Sequence, residues 1–192
     1  MASLVETIVG LEQSLTRADV PHAFGGALAL AFHTEEPRGT RDIDVNVFVA
    51  PEAVDEVFAA LPGDVVHTGA DADRVRRDGQ IRLFAGDTPI DLFFTTHAFH
   101  DTAELHVDVV PFAGVEMPVL GATELVVFKA FFDRTKDWAD IEAVLEAGTA
   151  DVHAAIGWLV DLLGGDDPRV ARLRGLVRRS QPGGDVDPRF AP

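Results

Sequence analysis

The chain contains no cysteine and no tyrosine, and its only lysines are Lys129 and Lys136. Without cysteine there is neither a disulfide framework nor a thiolate zinc site. No apolar run reaches the roughly 18 residues that a membrane span needs. The first residues, Met1 to Glu6, carry an acid and no basic stretch, so no secretory leader is expected and the cytoplasm is the expected location. Positive charge is also scarce: 16 Lys and Arg face 32 Asp and Glu, a net charge of −16 over 192 residues. That balance excludes a broad basic face for nucleic acid or anionic lipid and leaves room only for a small charged cleft. Hydrophobic residues, by contrast, make up 47% of the chain. This is enough to bury a core, and the length suits one domain with a small appendage.

Periodicity divides the chain. Leu4, Ile8, Leu11 and Leu15 predict an amphipathic first helix. Pro21 to Phe24 reads as a short extended piece, Gly25-Gly26 as a break, and Ala27 to His33 as a short buried helix. Thr34 to Arg41 is a polar loop. Ile43, Val45, Val47 and Val49 alternate with Asp42, Asp44, Asn46 and Phe48, the period-two pattern of a strand. Gln80–Ala85 and Pro89–Thr95 read as a hairpin about Gly86-Asp-Thr, with further strands at 106–112 and 115–119. After Leu120 four helical segments follow, the last opening at Asp167-Pro168. The expected fold is therefore an α/β (α+β) core over residues 1–120, a helical region over 121–180 and a flexible tail over 181–192. Phe93, Phe94, Phe128, Phe131 and Phe132 are expected in the core.

Three Asp-x-Asp pairs occur: Asp42/Asp44, Asp71/Asp73 and Asp185/Asp187. Any such pair can be simply solvated. Asp71 and Asp73 read as part of a polar loop, and Asp185 and Asp187 lie in the Gly/Pro tail. Only Asp42-Ile-Asp44 heads a β-branched strand and follows a glycine pair. Residues at i and i+2 of a strand share a face, and two carboxylates so placed can bracket divalent ions. Asp91 stands in the otherwise apolar Ile90-Asp-Leu-Phe-Phe94; an ionised acid there needs a metal, a solvated face or a partner such as Arg82. Gly25-Gly26 ahead of a helix lets the backbone approach a phosphate, or is a plain strand-to-helix turn.

Taken together, Phe24-Gly-Gly-Ala-Leu-Ala-Leu, His33, Arg38-Gly-Thr-Arg-Asp-Ile-Asp44 and Asp91 resemble the nucleotidyltransferase superfamily. They look most like the minimal branch that includes the AbiEii-type and MenT-type toxins of toxin–antitoxin systems. Lys129-x4-Arg134-x-Lys136-Asp137-x2-Asp140 is similar to a stretch of that branch. The fifteen residues between Gly26 and Asp42 exceed the superfamily's usual spacing.

The resemblance implies a nucleotidyltransferase-like mixed sheet flanked by helices and followed by a helical bundle. It implies two Mg²⁺ ions held by Asp42, Asp44 and Asp91, with a nucleoside triphosphate such as ATP as substrate. Gly25, Gly26, Arg38, Arg41, Lys129, Arg134 and Lys136 would meet its phosphates, and Thr40, Asp137 and Asp140 would support the site. A nucleoside monophosphate would pass to an acceptor hydroxyl on a tRNA end, a small molecule or a protein. The alternative is a non-catalytic module partnered by an antitoxin protein. Lys129 could instead reach solvent, and Lys136 could pair with Asp140. Arg169, Arg172, Arg174, Arg178 and Arg179 form a basic stripe that either guides RNA or balances acidic neighbours.

Overall fold

The computed structural model describes residues 2–35 and 39–180. The chain falls into two compact units, Met1–Gly121 and Ala122–Pro192. The first unit opens with helix α1 (Leu4–Arg17), started by a reciprocal cap in which Ser3 Oγ accepts from the Glu6 amide and Glu6 accepts from the Ser3 amide. Strand β1 (His22–Phe24) leads through Gly25 into α2 (Gly26–Thr34). Strand β2 (Ile43–Val47) and helix α3 (Val54–Ala60) follow, with a single 3-10 turn at Pro51–Ala53. Next come β3 (Val65–Val66), α4 (Gly69–Asp78), β4 (Gln80–Ala85), β5 (Thr88–Phe94), α5 (Ala98–Leu105), β6 (Asp108–Phe112) and β7 (Val115–Val119).

The strands form one seven-stranded sheet in the order β3-β4-β5-β2-β1-β7-β6. The pairs β2–β5 and β1–β7 are parallel, and the others antiparallel. Alternation separates the two faces of its centre. Ile43, Val45, Val47, Ile81, Leu83, Ile90, Leu92 and Phe94 are all buried. Between them, Gln80, Arg82 and Phe84 on β4 are exposed, and Asp44 and Asp91 are half-buried. Helix α4 packs on β4 and on α3, which in turn meets α1.

Two expectations change here. Asp71 and Asp73 are not in a loop but in the first turns of α4. Thr68 accepts from the Asp71 amide and Asp71 from the Thr68 amide, so Asp71 serves as a helix cap. Helix α2 is less buried than its apolar sequence predicts, with only Ala29 and Leu30 buried.

The second unit is a helical bundle of α6 (Ala122–Phe132), α7 (Thr135–Ala147), α8 (Val152–Leu163) and α9 (Pro168–Ser180). The apolar helix α6 packs against each of the other three. Asp151 caps α8 by accepting from the His153 and Ala154 amides, and Pro168 opens α9. Phe131 and Phe132, expected in the core, are 40% and 38% exposed at the end of α6. Each lies beneath a guanidinium instead, Arg169 over Phe131 and Arg134 over Phe132.

Candidate active site

The register of three strands sets up the polar face. Asp44 on β2 stands opposite Asp91 on β5, and Asp91 stands opposite Arg82 on β4. Residues in register across a sheet point to one face, so Arg82, Asp91 and Asp44 form a row. The row ends at the β1–α2 turn, where the Gly25 amide donates to the Asp44 carbonyl at 2.9 Å. Asp42, two positions before Asp44 and just ahead of β2, adds a third carboxylate, held by Thr40 Oγ1 donating to its Oδ1 at 2.8 Å.

Gly26 has φ +53°, and a Cβ built on it would collide with Asp44 Oδ2. The Asp44 carboxylate therefore rests against the first turn of α2, where backbone amides and the helix dipole favour an anion. At Gly25 a Cβ would come within 3.0 Å of Asn46 Nδ2 and 3.2 Å of Leu120 Cδ1.

Arg82 is a cation on this face. Its Nε donates to Asp91 Oδ1 at 2.7 Å and its Nη2 to Asp91 Oδ2 at 2.6 Å, a two-pronged bond. The same Nη2 lies 3.7 Å from Asp42 Oδ2. The hydrogen bonds and charge of Asp91, then the charges of Asp42 and Asp44, push the Arg82 guanidinium above its ordinary value. Among the described residues no three acidic or histidine side chains converge as a ready metal cage; between Asp91 and Asp42 stands the guanidinium. The donor set is nonetheless of the right kind. Three carboxylates would supply the hard oxygens that Mg²⁺ takes.

The other expected residues are placed as follows. Arg41 is exposed, and Arg38 lies outside the described residues. His33 Nε2 lies 2.7 Å from the Leu120 carbonyl, which ties α2 to the segment after β7. Within the second unit, Lys129 is buried; its ammonium donates to Asp140 Oδ2 at 2.7 Å and lies 3.7 Å from Asp137 Oδ1. Arg134 Nε donates to the same buried Asp137 at 2.7 Å. Lys136 is exposed on the first turn of α7. Arg82 is the site residue that the sequence offered only as a partner for Asp91. The tight turn at Gly86-Asp87 carries the missing signal, because pairing Ala85 with Thr88 and counting back along each strand arrives at Arg82 and Asp91.

No protein-family model matches the chain, and no curated protein matches it in sequence. Solved structures do match. The solution structure of the antibiotic-resistance factor ANT(2'')-Ia superposes with a TM-score of 0.54 at 16% identity, covering 91% of each chain. The crystal structure of ANT(2'')-Ia in complex with adenylyl-2''-tobramycin gives 0.52 at 16% identity over 92% of this chain and 95% of that one. An antigenic nucleotidyltransferase-like protein from Paracoccidioides brasiliensis gives 0.49 at 14% identity over 83% and 88%. The fold is nucleotidyltransferase-like.

Proposed function

We propose that the chain is a metal-dependent nucleotidyltransferase. It moves a nucleoside monophosphate from a nucleoside triphosphate to an acceptor hydroxyl and releases pyrophosphate. The observation that carries this reading is the pairing of Asp44 with Asp91 on adjacent parallel strands, with Asp42 beside them and Asp44 against Gly26. Carboxylates by themselves repel a phosphate; such a row serves phosphoryl transfer by holding the metal ions that neutralise the charge on the phosphate oxygens.

In this reading Asp42, Asp44 and Asp91 would hold two Mg²⁺ ions, which would neutralise phosphate charge. Gly25 and Gly26 let the triphosphate approach the first amides of α2. The acceptor oxygen bonds to the α-phosphorus, the bond to the β-phosphate oxygen breaks in line, and pyrophosphate carries off the electron pair. Asp91 would bind the second metal and help activate the acceptor hydroxyl, whose proton is lost as the new bond forms. Arg38 and Arg41 are the proposed cations for the phosphate tail, and Thr40 supports Asp42. The acceptor is a tRNA end, a small molecule or a protein side chain. That ANT(2'')-Ia has been seen with an adenylylated acceptor supports the small-molecule class.

Labelled nucleoside triphosphates with Mg²⁺ and candidate acceptors test the proposal. Asp42→Ala and Asp44→Ala are expected to lose about 10²–10³-fold or more in rate; transfer at the wild-type rate would refute it. One observation favours a second reading, a non-catalytic interaction module of the toxin–antitoxin type: Arg82 already occupies Asp91. Calorimetry that finds no Mg²⁺-dependent binding of any nucleoside triphosphate would select that module.

A further inference from the structure

Arg82 has no task in the reaction as proposed, yet it makes two short hydrogen bonds on the acidic face, at 2.6 and 2.7 Å to Asp91. Its place is set by register and not by chance rotamer: β4 pairs it directly with Asp91, and β5 pairs Asp91 directly with Asp44. The fork engages both oxygens of Asp91 and its Nη2 also faces Asp42 at 3.7 Å, so one cation serves two of the three carboxylates. A guanidinium keeps its proton at every accessible pH. It therefore cannot vacate the site by titrating and can only rotate away. Its side chain is 52% exposed, against 17% for Asp91, so the arginine and not the acid has solvent to move into. A divalent ion on the same carboxylate oxygens would stand within a few ångströms of the guanidinium, where like charges repel.

We propose that Arg82 is a built-in counter-ion that holds Asp91 and Asp42 in the metal-free protein and must swing off them before a divalent cation binds there. Arg82 is thus a positioning residue, and its departure is what frees both oxygens of Asp91 for the metal. The inference rests on the assignment of the three aspartates as the metal site.

The test is Mn²⁺ binding without nucleotide, read by electron paramagnetic resonance on wild type, Arg82→Gln and Arg82→Lys, with thermal melts in chelator and in Mn²⁺. Arg82→Gln is expected to bind Mn²⁺ on the order of tenfold more tightly. Arg82→Lys should fall between, because an ammonium cannot form the two-pronged bond. In chelator Arg82→Gln should melt lower than wild type, and Mn²⁺ should raise its midpoint by more. A role confined to stability would lower the melt and leave the Mn²⁺ affinity unchanged. If wild type binds Mn²⁺ and Arg82→Gln binds it no more tightly, the counter-ion proposal is overturned while the nucleotidyltransferase reading stands. If no variant binds Mn²⁺ without nucleotide, the counter-ion proposal falls alone, because the metal can still arrive with substrate phosphates as ligands; if Asp42→Asn and Asp91→Asn proteins bind Mn²⁺ as wild type does, the metal site itself is wrong and both readings fall.

Discussion

Gly26 concentrates two constraints in one residue. Its φ of +53° is a left-handed conformation that costs a side chain about 1–2 kcal/mol. Its missing Cβ leaves the space in which Asp44 Oδ2 lies. Gly26→Ala is therefore expected to lose about 2–4 kcal/mol, from strain plus displacement of the Asp44 carboxylate, and to lose transfer activity with it. Gly25→Ala should be milder, because its Cβ would press on side-chain atoms that can shift. Paired thermal melts and transfer assays check the order. His22 offers a second test at this scale. Burial pushes its imidazole below the ordinary value, against the opposing effects of the Val20 carbonyl and Glu12, and Nε2 has no hydrogen-bond partner among the described residues. A depressed histidine favours the neutral form in the folded chain, so the unfolded chain binds the proton first. Stability from this group is whole above the unfolded value of about 6.5 and is lost as pH falls below it. His100, also lowered by burial, adds in the same direction. Chemical denaturation between pH 8 and 5 should show that slope, and His22→Gln should remove its share.

Among the elements, the pair α6–α7 carries the most exposed bet on buried charge. Lys129, Asp137 and Asp140 lie in the interior of the bundle, with Asp137 fully buried. Removing one member strands the others, so Lys129→Met is expected to cost about 3–5 kcal/mol, while replacing all three by apolar residues of similar volume should restore most of it. The midpoint of the urea transition measures both. Lys136 is exposed, so Lys136→Ala should leave the urea midpoint nearly unchanged. The elements themselves were largely legible. The four- and three-residue steps of α1, the period-two strands β2, β4 and β5, and the Asp167-Pro168 start of α9 all follow from spacing. What periodicity missed depends on distant partners. The helix α4 has few apolar residues, so Asp71 and Asp73 read as loop although Thr68-x-x-Asp71 is a capping pattern. Asp42, Asp44 and Asp91 were legible as a set, but nothing local says that β5 runs parallel beside β2 and brings Asp44 level with Asp91. Arg82 was legible only through the hairpin turn.

At the scale of the whole molecule, the net charge of −16 opposes any polyanion, and the arginines of α9 do little to offset it. Arg169 is held by Asp167, Arg172 faces Asp133 at 3.7 Å and sits 4.2 Å from the ring centre of Trp138, and Arg179 faces Glu142 at 3.9 Å. Arg174 and Arg178 are exposed on the same helix. A cation already paired with a carboxylate gives little on meeting a phosphate, because one ion pair is exchanged for another. Five available arginines on a nucleic acid would release counter-ions with a salt slope of about −3.5 to −4.5 in log K against log salt, whereas two would give about −1.5 to −2. Filter binding of tRNA across a salt series is therefore expected to give a slope no steeper than about −2 and affinity no better than the non-specific range of about 10⁻⁴–10⁻⁶ M. A slope near −4 would show that the stripe breaks its own ion pairs to take phosphates, and would move the acceptor from a small molecule or protein to RNA.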